Sequence, residues 1–154
     1  MLGDAFSHLL NDLGKYINMN NLQPNERNTC MLSFPSKDVK ILLMPDSALL
    51  NLRIICYLGE IAQGRYQEEV FHEALRANSI PNPRYGNLGY NSANNNLVLW
   101  EVIPFAACNG ADLAEFLQKY IDKAAEIHDA IKNNAIPSLV ARTTVRTGGL
   151  FGLR

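Results

Sequence analysis

Apolar and polar positions alternate along this chain with two different periods, and the changes of period mark its elements. In "DAFSHLLNDLGKYI" and the residues before it, Leu2, Phe6, Leu9, Leu10, Leu13 and Ile17 recur at helical spacing. They predict an amphipathic helix, with Asp4 favourable near its positive end. A polar break, "NNLQPNERN", follows. Three strands are then expected at Thr29–Phe34, Val39–Met44 and Leu49–Leu58, separated by "PSKD" and "PDS", both plausible turns. The first sets Cys30, Leu32 and Phe34 against Thr29, Met31 and Ser33; the second sets Val39, Ile41 and Leu43 against Lys40, Leu42 and Met44. The third groups Leu50, Leu52, Ile54 and Cys56 opposite Leu49, Asn51, Arg53, Ile55 and Tyr57. Connections this short fit antiparallel hairpins and not parallel crossovers.

After Gly64 the helical period returns over Tyr66 to Asn78, with Tyr66, Val70, Phe71, Ala74 and Leu75 on one side, until Pro81 and Pro83 stop it. "GNLGYNSANNNLVLWEVIP" then reads as two strands around an asparagine-crowded loop, the second of them apolar on both faces. The last helix runs through "NGADLAEFLQKYIDKAAEIHDAIKNNAIP", with Asp112 and Glu115 expected as its capping box and Pro137 beyond its end. The order α-βββ-α-ββ-α is that of an α+β fold, an antiparallel sheet of about five strands with three segregated helices. Residues 1–137 form one domain in this reading. Residues 138–154, "SLVARTTVRTGGLFGLR", carry three glycines and no clear period and are expected to be a flexible basic tail.

Charge refines this picture. The chain of 154 residues has a net charge of −1, which gives no global case for nucleic acid or membrane as a partner. The tail holds Arg142, Arg146 and Arg154 and no acid, leaving 11 basic against 15 acidic side chains in residues 1–136. Three arginines are too few for counterion-driven nucleic-acid binding. Cys30, Cys56 and Cys108 form no C-x-x-C spacing and read as reduced thiols of a cytoplasmic protein. The polar N-terminal residues do not resemble a secretion signal, and charged or proline interruptions within residues 39–62 exclude a spanning helix there.

Candidate chemistry is sparse. His8, His72 and His128 lie in separate segments without a second ligand at metal spacing, so no metal or other cofactor is expected. Glu68, Glu69 and Glu73 fit a solvated helix face, with Arg76 three residues beyond Glu73. Neither a phosphate-binding glycine motif nor a nucleophile elbow occurs. The informative surplus is apolar: the strands are hydrophobic on both faces, and three helices are few to cover them. Extended apolar surface marks interaction sites.

From about residue 5 to 137 the arrangement resembles the class I type III secretion chaperones of bacteria, the CesT- and SycE-like family, with the chlamydial SycE-like members nearest in tone. "FSHLLNDLGKYINM" is similar to the family's opening helix, and "CMLSF", "VKILLMP" and "LNLRIICYLGEI" to its first three strands. "YQEEVFHEALRANSIPNPRYGNLGY" resembles its helix-to-hairpin passage, and "NNLVLWEVIPF" with "NGADLAEFLQKYIDKAAEIHDAI" its last strand and helix. The near-neutral charge and the tail depart from the family pattern. The resemblance implies a non-catalytic cytoplasmic homodimer that holds the N-terminal segment of secreted effectors in extended form; for the unmatched tail, contact with cargo, with the secretion ATPase or with membrane lipid stays open, as does disorder. It places Leu9, Leu10, Leu13, Ile17, Leu32, Phe34, Val39, Ile41 and Leu43 in the cargo groove, where plain core packing competes for each. It places Tyr66, Val70, Phe71, Leu75, Leu88, Tyr90 and Trp100 in a dimer seam. Two other readings stay open on the residues alone: a small α+β enzyme or ligand-binding domain whose site assembles only in the fold, and a structural subunit of a secretion apparatus.

Overall fold

The computed structural model describes residues 2–81 and 84–137, so the tail expected at 138–154 lies outside the described residues. Helix α1 spans Leu2–Ile17, strands β1, β2 and β3 span Cys30–Phe34, Val39–Pro45 and Asn51–Glu60, and helix α2 spans Arg65–Asn78. Strands β4 (Asn87–Asn91) and β5 (Asn96–Pro104) and helix α3 (Gly110–Lys132) complete the order α-βββ-α-ββ-α. The strands form one antiparallel sheet in the order β1-β2-β3-β5-β4, which leaves β1 and β4 at its edges.

Alternation decides which face is buried. Leu32, Ile41, Leu43, Leu52, Ile54, Leu58, Leu97 and Leu99 are almost wholly removed from water. They lie beneath the stripes of α1 (Phe6, Leu10, Leu13) and α3 (Leu113, Leu117, Tyr120, Ile127). Tyr120, fully buried, places its hydroxyl inside the core and donates it to Leu99 O at 2.5 Å, so the ring enters with its polar group satisfied. At the crossing of the two long helices, Gly110 meets Asp12 so closely that a β-carbon there would come within 2.6 Å of the Asp12 backbone. The Gly110 amide donates to the Asp12 carboxylate at 2.9 Å, tying the start of α3 to α1.

Two local expectations need correction. The cap of α3 is Asn109, whose side chain accepts from the Asp112 amide at 2.8 Å and donates to the Asp112 carboxylate. Asp112 is therefore the third helical residue and not the cap, and Glu115 takes no part. Leu50, grouped with the core face of β3 by alternation, precedes the strand and is 67% exposed. Asp46 accounts for this: its carboxylate accepts from the Leu50 and Asn51 amides, holding residues 47–50 in a turn that breaks the alternation.

The asparagine-crowded loop is a turn built from side chains. Asn91 and Asn94 accept from the amides two residues ahead, and Asn95, at φ 56°, takes the left-handed conformation that asparagine tolerates well. Its carboxamide oxygen accepts from the Tyr90 hydroxyl at 2.6 Å.

Candidate functional site

Burial pushes the Cys56 thiol up to about 12 and the Cys108 thiol up to about 11, the latter helped by Asp112, so both are protonated near neutrality. Among the described residues no group of three His, Cys, Asp or Glu side chains could hold a metal, and no helix is long and apolar enough to cross a membrane. What the fold does offer is three surfaces, one of mixed character and two mainly apolar.

The first is a groove of about 670 Å³ where the C-terminal end of α1, the β1–β2 connection and α3 meet. Tyr16, Ile17 and Phe34 line one side, and Ala114, Leu117 and Ile121 of α3 line the other, with Lys37 and Asp122 paired at 2.6 Å. Beside it runs the free edge of β1, whose outward backbone groups have no strand partner in the sheet. Of the nine residues the sequence assigns to a groove, only Ile17 and Phe34 reach this one. Leu9, Leu10, Leu13, Leu32, Val39, Ile41 and Leu43 are buried in the core and support the groove from beneath.

A histidine fixes the groove's turn. His128 of α3 points Nδ1 at Leu58 O (2.6 Å) and Nε2 at the Asp38 carboxylate (3.0 Å). Both partners only accept, so the arrangement needs a proton on each ring nitrogen. The bond to Leu58 O first, and the Asp38 carboxylate second, raise the imidazole above its usual range. Asp38, in the left-handed conformation at φ 53°, ends the Pro35–Lys37 turn that carries Ser36 and Lys37 of the groove wall.

The second surface is an apolar trough between α2 and β4, lined by Phe71, Ala74, Leu75, Leu88, Tyr90 and Leu97. Phe71 packs edge-on against Tyr90 with ring centroids 4.8 Å apart. Leu75 stands out from the helix at 72% exposure. Tyr66 donates to Ala135 O, and Val70 and Leu88 are buried within the chain. Beneath the trough Asn78 pairs with Leu88 as a strand would, accepting from its amide at 2.8 Å and donating to its carbonyl at 2.9 Å.

Trp100, assigned to the same seam, lies elsewhere. Strand alternation sends it to the opposite side of the sheet, the side away from the α1–α3 core. There it begins a row with Ile55, Leu42 and Met31, one residue per strand in register from β5 to β1. Met31, Tyr57, Trp100 and Val102 on this face are all exposed. Of this third surface, sequence reasoning assigned only Trp100 to a site; the signal for the rest was the apolar second face of the strands.

Residues 8–128 match the model of the Tir chaperone protein (CesT) family. No curated protein sequence matches the chain. Among solved structures, a chain of the HopA1–SchA chaperone–effector complex is similar with a TM-score of 0.68 and 18% identity, over 84% of this chain and 98% of that one. The Yersinia pestis type III secretion chaperone SycH, in complex with a stable fragment of YscM2, gives 0.64 at 20% identity, over 79% of this chain and 98% of that one. The heterodimeric ExoU–SpcU complex from the type III secretion system of Pseudomonas aeruginosa gives 0.55 at 18% identity, over 90% of this chain and 100% of that one. At such identities the likeness concerns the fold.

Proposed function

The chain belongs to the Tir chaperone protein (CesT) family, and from that premise we propose that it is a type III secretion chaperone, binding an effector's N-terminal segment in extended form without catalysis. The observation that carries the reading is the free edge of β1 beside the groove of Ile17 and Phe34. An extended chain entering there gains main-chain hydrogen bonds from the edge strand, and every second side chain faces the groove's apolar residues Ile17, Phe34, Leu117 and Ile121. Ordering such a segment costs entropy, which a long contact offsets. Held so, part of the effector stays unfolded.

In this reading the protein acts in the cytoplasm as a homodimer. Phe71, Leu75 and Tyr90 face their counterparts across a two-fold axis, because an isologous contact sets one patch against itself. Val70 and Leu88 shape that seam from inside the fold. The secretion ATPase is a further proposed partner, and membership of the chlamydial SycE-like branch is part of the same proposal. The chaperone unit in this reading is residues 1–137, followed by the basic stretch 138–154.

The test is co-expression of the full chain with N-terminal segments of secreted proteins, followed by light scattering. The expected species is a dimer carrying an extended segment without ATP, and Ile17→Glu in the same chain should release the segment while thermal unfolding stays near its original midpoint. A folded chain that takes up no segment would refute the reading.

A further inference from the structure

The β1–β2 turn walls the groove, yet Pro35, Ser36, Lys37 and Asp38 are all exposed and none of them is anchored by burial. Toward the turn, β2 pairs with β1 as far as Val39–Phe34, whereas its pairing with β3 stops at Leu42–Ile55. Two side-chain contacts tie the turn to α3. Lys37 meets Asp122, but both side chains are about half exposed, and such surface pairs hold little. Asp38 meets His128 at 3.0 Å. The other nitrogen of that ring lies 2.6 Å from Leu58 O, at the bulge where the β3–β5 register passes from Tyr57–Val98 to Gly59–Leu97 and leaves Leu58 without an opposite residue. One side chain of α3 thus links the bulge of β3 to the turn.

We propose that His128 is a proton-operated latch on this turn, so that the groove holds an extended segment tightly while the imidazole is charged and loosens its hold as pH rises. The proposal rests on the chaperone reading of the groove and deepens it. His128 does not line the groove; it is a positioning residue that fixes the wall through Asp38.

A neutral ring carries one proton for two acceptors, so one contact must go. The bond to Leu58 O is the shorter and is half-buried, whereas the Asp38 side chain is 74% exposed. Stripping a half-buried carbonyl of its partner costs more than returning a surface carboxylate to water. The proton therefore stays on Nδ1, and the lone pair of Nε2 faces Asp38. Asp38 turns away, and the end of the Pro35–Lys37 turn, with Ser36 and Lys37 of the groove wall, goes with it. The ionisable groups around the ring are Asp38 on the turn, Lys40 on β2 and Lys132 on α3, with exposed Tyr57 and Glu60 flanking the bulge on β3. The Leu58 carbonyl first, and Asp38 second, raise the imidazole against the opposing Lys132. The latch is closed below the ordinary histidine value of about 6.5 and opens as pH climbs through the raised folded one. Asp38, held low mainly by the same bond, stays ionised throughout that window. A segment that packs on Phe34, Ser36 and Lys37 favours the closed turn, and by linkage takes up protons as it binds.

The full chain, isotope-labelled, is followed by NMR from about pH 5.5 to about pH 8.5, a window that brackets histidine titration. The backbone amides of Ser36, Lys37 and Asp38 should be rigid at the acid end and gain fast motion toward the alkaline end, with the midpoint of the His128 ring titration. Asp38→Asn is the variant that separates a latch from a merely structural contact. Its carboxamide accepts from a protonated Nε2 and donates to a bare one, so the turn should stay rigid across the whole range. Asparagine also suits the left-handed backbone at this position, φ 53°, so the variant should fold. Binding is read by fluorescence polarisation of a labelled peptide of about ten residues alternating valine and threonine, with a lysine near each end. Its termini are acetylated and amidated, so it has no group titrating in this window. The Kd should weaken about tenfold across the window for the wild type and stay within about twofold for Asp38→Asn. A turn that stays rigid while His128 titrates overturns the latch, whatever the groove binds. Loosening of the turn with an unchanged Kd overturns its control of binding. Loosening with no capture of the peptide at either end supports the latch and counts against the chaperone reading.

Discussion

The residue that couples charge to shape is His128. Both of its ring nitrogens face acceptors, one on β3 and one on the β1–β2 turn, so only the imidazolium makes both contacts. The charged groups around it are Asp38 on the turn, which favours the proton, and Lys132 on α3, which opposes it; Lys40 on β2 acts on Asp38. A histidine whose folded value is raised adds stability that is complete below its unfolded value, near 6.5, and is lost as pH climbs through the folded one. Asp38, held low mainly by the same bond, contributes in the opposite sense, losing its part when the pH falls through its own depressed value. Asp38→Asn should therefore lower the His128 value and flatten the decline of stability on the alkaline side. Imidazole NMR titration of the wild type and the variant checks it. An unmoved titration would mean that the Leu58 carbonyl alone sets the proton.

Among the elements, edge strands show how the fold handles exposed backbone. Strand β4 is closed by a side chain: Asn78, the last residue of α2, occupies the amide and carbonyl of Leu88 in place of a neighbouring strand. Asn78→Ala leaves both groups without this partner in a half-buried place and should cost about 1–3 kcal/mol, read as a lower urea midpoint with unchanged slope. The element order was legible in the apolar periods, because the helix stripes and the strand alternation answer to the same core. What escaped was local and polar. Nothing in the period of β3 says that Asp46 will pin a turn and expel Leu50, or that Asn109 and not Asp112 caps α3. The candidate site was less legible still. Seven of its nine groove residues are equally good core residues, and a core and a groove floor call for the same side chains. Only their depth separates Leu13 from Ile17, and depth belongs to tertiary packing. The family resemblance places Trp100 beside Tyr90 in one seam, whereas strand parity puts them on opposite faces.

At the scale of the molecule, the layers are unequal. The core side of the sheet carries α1 and α3, with α2 along the β4 end, and among the described residues no helix covers the other side, so apolar surface is left in three directions. If the α2 trough is the self-contact, then Leu75, exposed at 72% and pointing out of a helix whose opposite side is buried, stands near its centre. Leu75→Glu sets two carboxylates near one another across the axis and loses the apolar contact of both copies. A central apolar residue of an interface is commonly worth 2 kcal/mol or more on truncation, so the dimer should weaken by at least about thirtyfold. Because the side chain already stands in water within one chain, folding should be little affected. Light scattering over a dilution series should show dimer mass for the wild type and monomer mass for the variant at concentrations where circular dichroism still reports the native fold. One further variant sharpens the result. Trp100→Ala, on the opposite face, should keep dimer mass; if it yields monomer and Leu75→Glu does not, the self-contact belongs to the open sheet face, and the α2 trough becomes the surface free for a partner.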